Sequence, residues 1–257
     1  MPRIHHLTDT HYPRANSRVA DYVASLKRDA LGPPPDLIVH TGDLVDGAQD
    51  PQELRRQHQE LHALLESTGI PVQAIAHTHD RMGERQGDWG RTFSEIWKQE
   101  LARIVALPGG IDLCFLSGSV TQPPLAGPEE VPEWGFDVFD GHVLEAMEKL
   151  IARDARADSY RVLCTHLPVL LDPGFPRPGD RYQRPPIGTE GVSRILPTIK
   201  KLGIRLVLGG HIHKASRHCV EDIEFIAGSA CLGEEAGYGL LTFSNGRHAY
   251  EFHTLPS

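Results

Sequence analysis

The sequence is short of the features that mark several protein classes. No apolar run approaches the roughly 20 residues that a membrane-spanning helix needs. Met1 leads directly into a strand-like run, Ile4 to Leu7, with no apolar signal region before it. There is no block of Lys or Arg, and the formal charge is −8. A nucleic-acid duplex is therefore not an expected partner. The acidity does not exclude a phosphate substrate, because bound cations can invert the local sign. Cys114, Cys164, Cys219 and Cys231 are scattered and form no CxxC pair, which disfavours a zinc ribbon or a thiol-redox motif. That usage fits a reducing compartment, and a cytoplasmic protein with no membrane partner is the expectation. No repeat, low-complexity tract or linker divides the chain. Its 257 residues, 40% hydrophobic and 23% charged, suit one large α/β domain with a substantial core.

Histidine is abundant, with 15 residues. Abundance alone carries no function; position does. The stretch from Leu37 to Asp46 opens as a continuous apolar run, which reads as a buried strand, and breaks at Gly42-Asp43. One Asp after a Gly is most simply a turn or cap residue. Other strand ends, however, carry the same chemistry: Asp9 with His11, His79, His166, and His211 with His213. That recurrence favours ligands gathered where open α/β sheets bind things, at the carboxyl ends of the strands.

In chain order, residues 3–8 read as a strand, and Val19, Tyr22, Val23, Leu26 and Ala30 give a helix by their spacing. A second strand spans 36–41. Asp50-Pro51-Gln52-Glu53 starts a helix with an Asp cap, a Pro in the first turn and a Glu closing a capping box. Pro71 to Ala76 is a third strand, so the first part is a β-α-β-α-β run with a parallel, helix-covered sheet. Phe93, Ile96, Trp97, Leu101 and Ile104 read as one helix, Asp112 to Leu116 as a strand, and Asp140 as the cap of a helix with Val143, Met147, Leu150 and Ile151 inward. Tyr160 to Cys164 and Ile204 to Leu208 are strands, with a helix over 189–201 between them. The β-type runs at 215–220, 223–228, 238–244 and 247–254 read as antiparallel strands forming the second sheet of a sandwich.

Carboxylate and imidazole without thiolate suit manganese, iron, zinc or cobalt at two adjacent sites. Two such ions about 3.5–4 Å apart clamp the attacking and leaving oxygens of phosphoryl transfer.

Asp9-Thr10-His11, Gly42-Asp43, His79-Asp80, His166 and Gly210-His211-Ile212-His213, in this order, resemble the motifs of calcineurin-like metallophosphoesterases. The resemblance runs from residue 4 to about 213. It implies a four-layer α-β-β-α sandwich with two mixed sheets, a single domain over 1–257, irregular active-site loops at about 119–139 and 172–188, and a dinuclear metal site. By the same resemblance Asp9, His11, Asp43 and His213 hold one ion, and Asp43, His166 and His211 hold the other. His79, oriented by Asp80, faces the substrate as a catalytic group, with Arg81 as a further substrate contact. Asp80-Arg81, the run from Phe115, Thr165-His166-Leu167-Pro168 and Gly228-Ser229-Ala230 are most similar to the cyclic-nucleotide and glycerophosphodiester branch. The implied activity is hydrolysis of a phosphodiester, such as a cyclic nucleotide, by metal-activated hydroxide. A phosphomonoesterase, or a catalytically weak member of the fold that binds rather than turns over, is the alternative.

One departure stands out. The family's third motif is normally Gly-Asn-His-Asp or Gly-Asn-His-Glu, and here it is His77-Thr78-His79-Asp80. Thr78 stands where an amide oxygen would ligate the second ion. Three readings follow: Thr78 ligates weakly or through water, His77 takes over as a ligand, or the second site is impaired. A weakened second site is the preferred expectation. His5, His6 and His40 read as packing or supporting residues, His58 as a packed histidine, and Asp46 as a turn residue. Arg177, Arg181 and Arg184 read as a solvated loop face. Trp134 and Phe136 read equally as a base-stacking lid or as the contact of a homo-oligomer.

Overall fold

The computed structural model describes residues 2–84, 88, 90–117, 141–169 and 196–256, without the side chains of 141–144 and 146. The expected loops at 119–139 and 172–188, with Trp134, Phe136, Arg177, Arg181 and Arg184, lie outside the described residues, as do Asp140, the Val143 side chain and 189–195. In chain order the strands are β1 (Arg3–Leu7), β2 (Leu37–His40), β3 (Val72–Ala74), β4 (Ala102–Leu107), β5 (Ile111–Leu116), β6 (Tyr160–Cys164), β7 (Ile204–Gly209), β8 (Ser216–Val220), β9 (Ile223–Ala227), β10 (Gly237–Ser244) and β11 (Arg247–Thr254). The helices are α1 (Val19–Lys27), α2 (Pro51–Glu66), α3 (Arg91–Trp97), α4 (Gly141–Asp154) and α5 (196–201). Among the described residues no helix is long and apolar enough to cross a membrane.

The strands form two mixed sheets, in the orders β11-β10-β1-β2-β3 and β4-β5-β6-β7-β9-β8. In the first, β1, β2 and β3 are parallel; in the second, β5, β6, β7 and β9 are parallel. Alternation along the strands builds the layers. Ile4, Leu37, Val39, Leu113, Phe115, Val162, Cys164, Leu206 and Leu208 pack between the sheets. The intervening Ile38 turns outward to α1, α2 and α3, and Cys114, Leu163 and Val207 turn outward to α4 and α5. Strands covered on both faces read as unbroken apolar runs, which is why they are visible in the sequence. The Asp50 carboxylate accepts the Gln52 N–H at the start of α2, while Glu53 turns to Arg56 instead of closing a capping box.

Two expectations are corrected. Leu101 and Ile104 do not continue the helix of Phe93 and Trp97: Lys98 is left-handed, φ +55°, and the chain restarts as β4 against β5. The tail does not make a second sheet of its own. β8 and β9 extend the second sheet beside β7, while β10 and β11 extend the first beside β1. Each pair thereby adds its apolar residues, Phe225 and Ile226 or Leu241 and Phe243, to core that already exists.

Candidate metal centre

The ends of the parallel strands β1, β2, β3, β6 and β7 converge at one edge of the sandwich. Beyond them the backbone turns sharply. Asp9, His11, Asp43, His211 and His213 have φ of +50°, +43°, +51°, +71° and +59°. Left-handed backbone is uncommon for residues with a Cβ, and it gathers where surrounding structure fixes a functional geometry. Here cross-strand bonds fix it. Asp9 N–H donates to the Gly42 carbonyl (3.1 Å), His11 N–H to the Asp43 carbonyl (3.1 Å) and Gly210 N–H to the His166 carbonyl (2.8 Å).

The first group is Asp9, His11 and His213. Asp9 Oδ2 accepts the Thr8 hydroxyl (2.7 Å) and the His211 N–H (2.8 Å). Its Oδ1 is thereby turned to His213 Nε2 at 3.3 Å and His11 Nε2 at 3.9 Å. His11 Nε2 also lies 3.8 Å from Asp43 Oδ2. The second group is Asp43, His77, His166 and His211. His166 Nδ1 faces the Thr41 carbonyl at 2.8 Å; a carbonyl only accepts, so Nδ1 carries a hydrogen and Nε2 is the nitrogen turned to the carboxylates. That Nε2 lies 3.3 Å from Asp43 Oδ2 and 3.8 Å from Asp9 Oδ1. His77 Nδ1 lies 3.4 Å from Asp43 Oδ1. Asp43 thus stands between the groups, its Oδ2 near both His11 and His166 and its Oδ1 near His77.

These atoms converge in a way that calls for cations. Asp9 and Asp43 are buried, and among the described residues neither pairs with a Lys or Arg. Asp9 Oδ1, Asp43 Oδ1 and His166 Nε2 carry no hydrogen bond there. Burial alone would raise both carboxyls, yet His166 and the neighbouring imidazoles hold them well below the usual range. Burial opposes charge on His166, but Asp43 and Asp9 outweigh it and push this ring up to about 9. Burial lowers His77 to about 3, and His11 and His211 to about 4, so those rings are neutral and have a lone pair to offer. Oxygen and imidazole donors at this spacing can hold two divalent ions.

The profile of the calcineurin-like phosphoesterase family matches residues 2–215. The chain belongs to this family. Curated protein sequences give no match. Among solved structures it is similar to a dimetal phosphatase from Danio rerio, with TM-score 0.69 and 11% identity over 100% of this chain and 98% of that one. It is similar also to the anchor in the inner membrane complex of Plasmodium, with TM-score 0.61 and 12% identity over 98% and 84%. A third similar structure is the phosphopantetheinyl hydrolase of Mycobacterium tuberculosis, with TM-score 0.54 and 13% identity over 90% of each chain. At such identities the likeness is one of fold. The family is one of dinuclear metal enzymes, in keeping with the His/Asp groups of this calcineurin-like phosphoesterase; His11, Asp46 and His79 form a third such group.

The remaining expected site residues fall around these groups. His79 sits at the mouth, half-buried, its ring 4.7 Å from that of His11 and perpendicular to it. Its Nδ1–H donates to the Asp46 carbonyl (2.7 Å), so Asp46 and not Asp80 orients it. Asp80 is fully buried, and its oxygens accept the backbone N–H groups of Val45 (3.0 Å) and His77 (2.8 Å). Burial and the nearby Asp43 push its carboxyl up to about 8. The correction has a local cause: residues 79–81 form a 3-10 turn that carries Asp80 under the site while His79 stays at its mouth. Thr78 begins that turn, with helical φ −56° and ψ −48° and no side-chain capping bond. Arg81 is buried, beside Glu84 and Asp80.

Supporting histidines complete the frame. His40 Nδ1 accepts the Gly42 N–H (3.2 Å), and His40 Nε2 meets the Thr10 hydroxyl (3.1 Å). His6 joins Thr41 (2.8 Å) to Tyr250 (2.7 Å), and His5 meets Tyr22 (2.9 Å). His58 accepts from the Trp97 indole (3.1 Å) and donates to the Asp80 carbonyl (2.8 Å). Asp46, expected only as a turn residue, carries His79 and is ion-paired to Arg14, and His77, one of the three readings of the altered motif, stands inside the second group.

Proposed function

We propose that this chain hydrolyses a small phosphodiester, with nucleotide diesters as the first class to try, in a reaction that depends on two divalent ions. The observation that carries the reading is the pair of His/Asp groups sharing Asp43, with His79 beside them. Asp9, His11, Asp43 and His213 hold one ion in this reading, and Asp43, His166 and His211 belong to the other. When bound, such ions clamp the attacking and leaving oxygens and make a nucleophile available near neutral pH.

The chain's own residues then do three things. Asp43 spaces the two sites and carries charge to each. The Thr8, Thr41 and His40 bonds fix the rotamers of Asp9, His166 and the Gly42 turn, so the site does not reorganise during the reaction. His79, with Nδ1–H committed to Asp46, can present only Nε2 to substrate. In the charged ring Nε2–H is placed to protonate a leaving alkoxide, the step a diester needs most.

Preference for a diester is supported by how the arginines near the site are engaged among the described residues. Arg14 is engaged by Asp46, and Arg81 is buried beside two carboxylates. A monoanionic diester needs less compensation than a dianionic monoester. Hydrolysis of bis(p-nitrophenyl) phosphate and p-nitrophenyl phosphate, with added manganese, zinc, cobalt or iron, tests the reading. Faster turnover of the diester is expected. Faster turnover of the monoester makes the protein a phosphomonoesterase, and inactivity with every metal makes it a binding member of the family.

A further inference from the structure

We propose that His77 is itself a ligand of the second ion, and that it turns this position into a three-imidazole, one-carboxylate site that prefers zinc(II) to manganese(II). The proposal rests on the metal-dependent reading above. It replaces the expectation of a second site weakened at Thr78.

The first argument is strand register. β2 and β3 pair in parallel with His40 opposite Ala74. Three residues further on each chain come Asp43 and His77. The two residues therefore leave adjacent strands at the same level, and Nδ1 of His77 ends 3.4 Å from Asp43 Oδ1. The His77 ring centroid is 4.1 Å from that of His166 and 6.0 Å from that of His211. A nitrogen of each ring and an oxygen of Asp43 all lie within 4.8 Å of one another, a spacing one ion can span.

The second argument is how His77 is held. Its side chain is 4% exposed. Its backbone N–H is fixed by Asp80 Oδ2, and Asp80 is anchored through Oδ1 to Val45 beside Asp43. This brace ties the third strand's loop to the second strand's loop, which is what a shared ligand set needs. An ordinary packed histidine lies among apolar side chains; this one lies tilted against His166, with a ring nitrogen toward a carboxylate. Thr78 then caps the 3-10 turn of residues 79–81, which returns Asp80 beneath His77.

The third argument is donor chemistry. The first ion faces carboxylates Asp9 and Asp43 with imidazoles His11 and His213. The second faces Asp43 with imidazoles His77, His166 and His211. Imidazole suits zinc, while carboxylate, carbonyl and water oxygen suit manganese, and zinc stands well above manganese in affinity for nitrogen-rich sites. The two positions are therefore chemically unlike, and the second is the more selective.

Metal-stripped full-length protein is titrated by calorimetry with zinc(II) and, separately, manganese(II), for the wild type, His77→Ala, His77→Asn and Thr78→Ala. Two zinc ions per wild-type chain are expected. In His77→Ala the second zinc should weaken by more than the ~10–100-fold cost of losing an outer supporting bond, while Thr78→Ala keeps both. His77→Asn should retain two sites but lose at least about tenfold of the zinc-over-manganese preference at one of them. X-ray absorption on zinc-loaded wild type gives a reading that no poorly folded variant can obscure. Three plus two imidazoles over two ions average two and a half per zinc, against two if His77 does not bind. Unchanged zinc binding in His77→Ala, or an average of two imidazoles, overturns the role of His77 while leaving the dinuclear reading intact. A wild type that takes up only one ion overturns both.

Discussion

Gly210 lies so close to Asp9 that a Cβ at position 210 would stand 2.4 Å from Asp9 Oδ2 and 1.8 Å from the Thr8 hydroxyl oxygen. The contact explains why the turn after β7 carries a glycine: it must slide under the carboxylate that the following His211 N–H also grips. Gly210→Ala should therefore displace Thr8 and Asp9 together. Overpacking of this kind costs about 1–3 kcal/mol. The expected outcome is a lower melting temperature and loss of the first ion, read by metal analysis of the purified variant. A variant that keeps both ions and full stability would show that the loop yields without moving Asp9.

Asp43 reaches both sides of the centre, with Oδ2 3.8 Å from His11 Nε2 and 3.3 Å from His166 Nε2, and Oδ1 3.4 Å from His77 Nδ1. No other carboxylate among the described residues belongs to the second group. Asp43→Ala should consequently lose metal at both positions and all turnover, whereas Asp9→Ala should lose the first ion alone. Metal content after gel filtration at low free zinc checks the difference. Two tightly held ions in Asp43→Ala would place the bridge elsewhere.

Much of this arrangement is legible in the sequence because strands covered on both faces leave unbroken apolar runs, and a ligand two or three residues beyond such a run is already near the sheet's edge. That logic reaches Asp9, Asp43, His166 and His211 directly. It stops where the chain leaves simple periodicity. Motif alignment centred on His79-Asp80 puts Thr78 in the ligand position, because sequence cannot show that 79–81 wind into a 3-10 turn. The sequence offers His77 only as one of three readings; counting from the strand end instead of from the motif favours it, since register pairs His40 with Ala74. The destination of the tail was hidden for a different reason. Period-2 alternation identifies a strand but not its neighbour, and β9 and β10 join different sheets. Asp46 acts on His79 through its carbonyl, a group every residue has, so nothing in its side chain announces the role.

His79 lies outside the two groups that meet at Asp43, and in the proposed reading it acts on the substrate. Its Nδ1–H is held by Asp46, its ring meets His11 edge-on, and Nε2 is left to face the mouth of the site. His79→Ala should retain metal and stability but lose about 10²–10⁴-fold in turnover, the range general acid catalysis contributes. A substrate with a good leaving group, such as a p-nitrophenyl diester, should be affected much less than an alkyl diester. Equal losses on both substrates, or loss of metal, would make His79 a binding or ligating residue.

Asp112 gives a control far from this chemistry. It lies near the start of β5, whereas the metal groups lie beyond the opposite, carboxyl ends of the parallel strands. The residue is fully buried and accepts the Arg156 backbone N–H (2.9 Å) and Nε–H (2.8 Å). Burial alone would raise this carboxyl, but bonds from Ser159 and Arg156 outweigh it and leave it below the usual carboxylate range. A carboxyl lowered on folding adds stability that is present above its unfolded pKa, about 4, and is lost as pH falls through the folded value. Asp112→Asn keeps the shape and removes the charge. Because the Arg156 side chain is 44% exposed, solvent screens the pair, and a loss of about 1–2 kcal/mol at neutral pH is expected. For a chain of this size that corresponds to about 2–8 °C in melting temperature. The deficit should shrink below about pH 4, where the wild type itself begins to lose the interaction, so the two stability curves converge in acid. Metal content and turnover of the folded variant should match the wild type. A deficit that stays constant from pH 7 to pH 3 would mean that the Asp112 charge contributes nothing beyond the shape of its side chain.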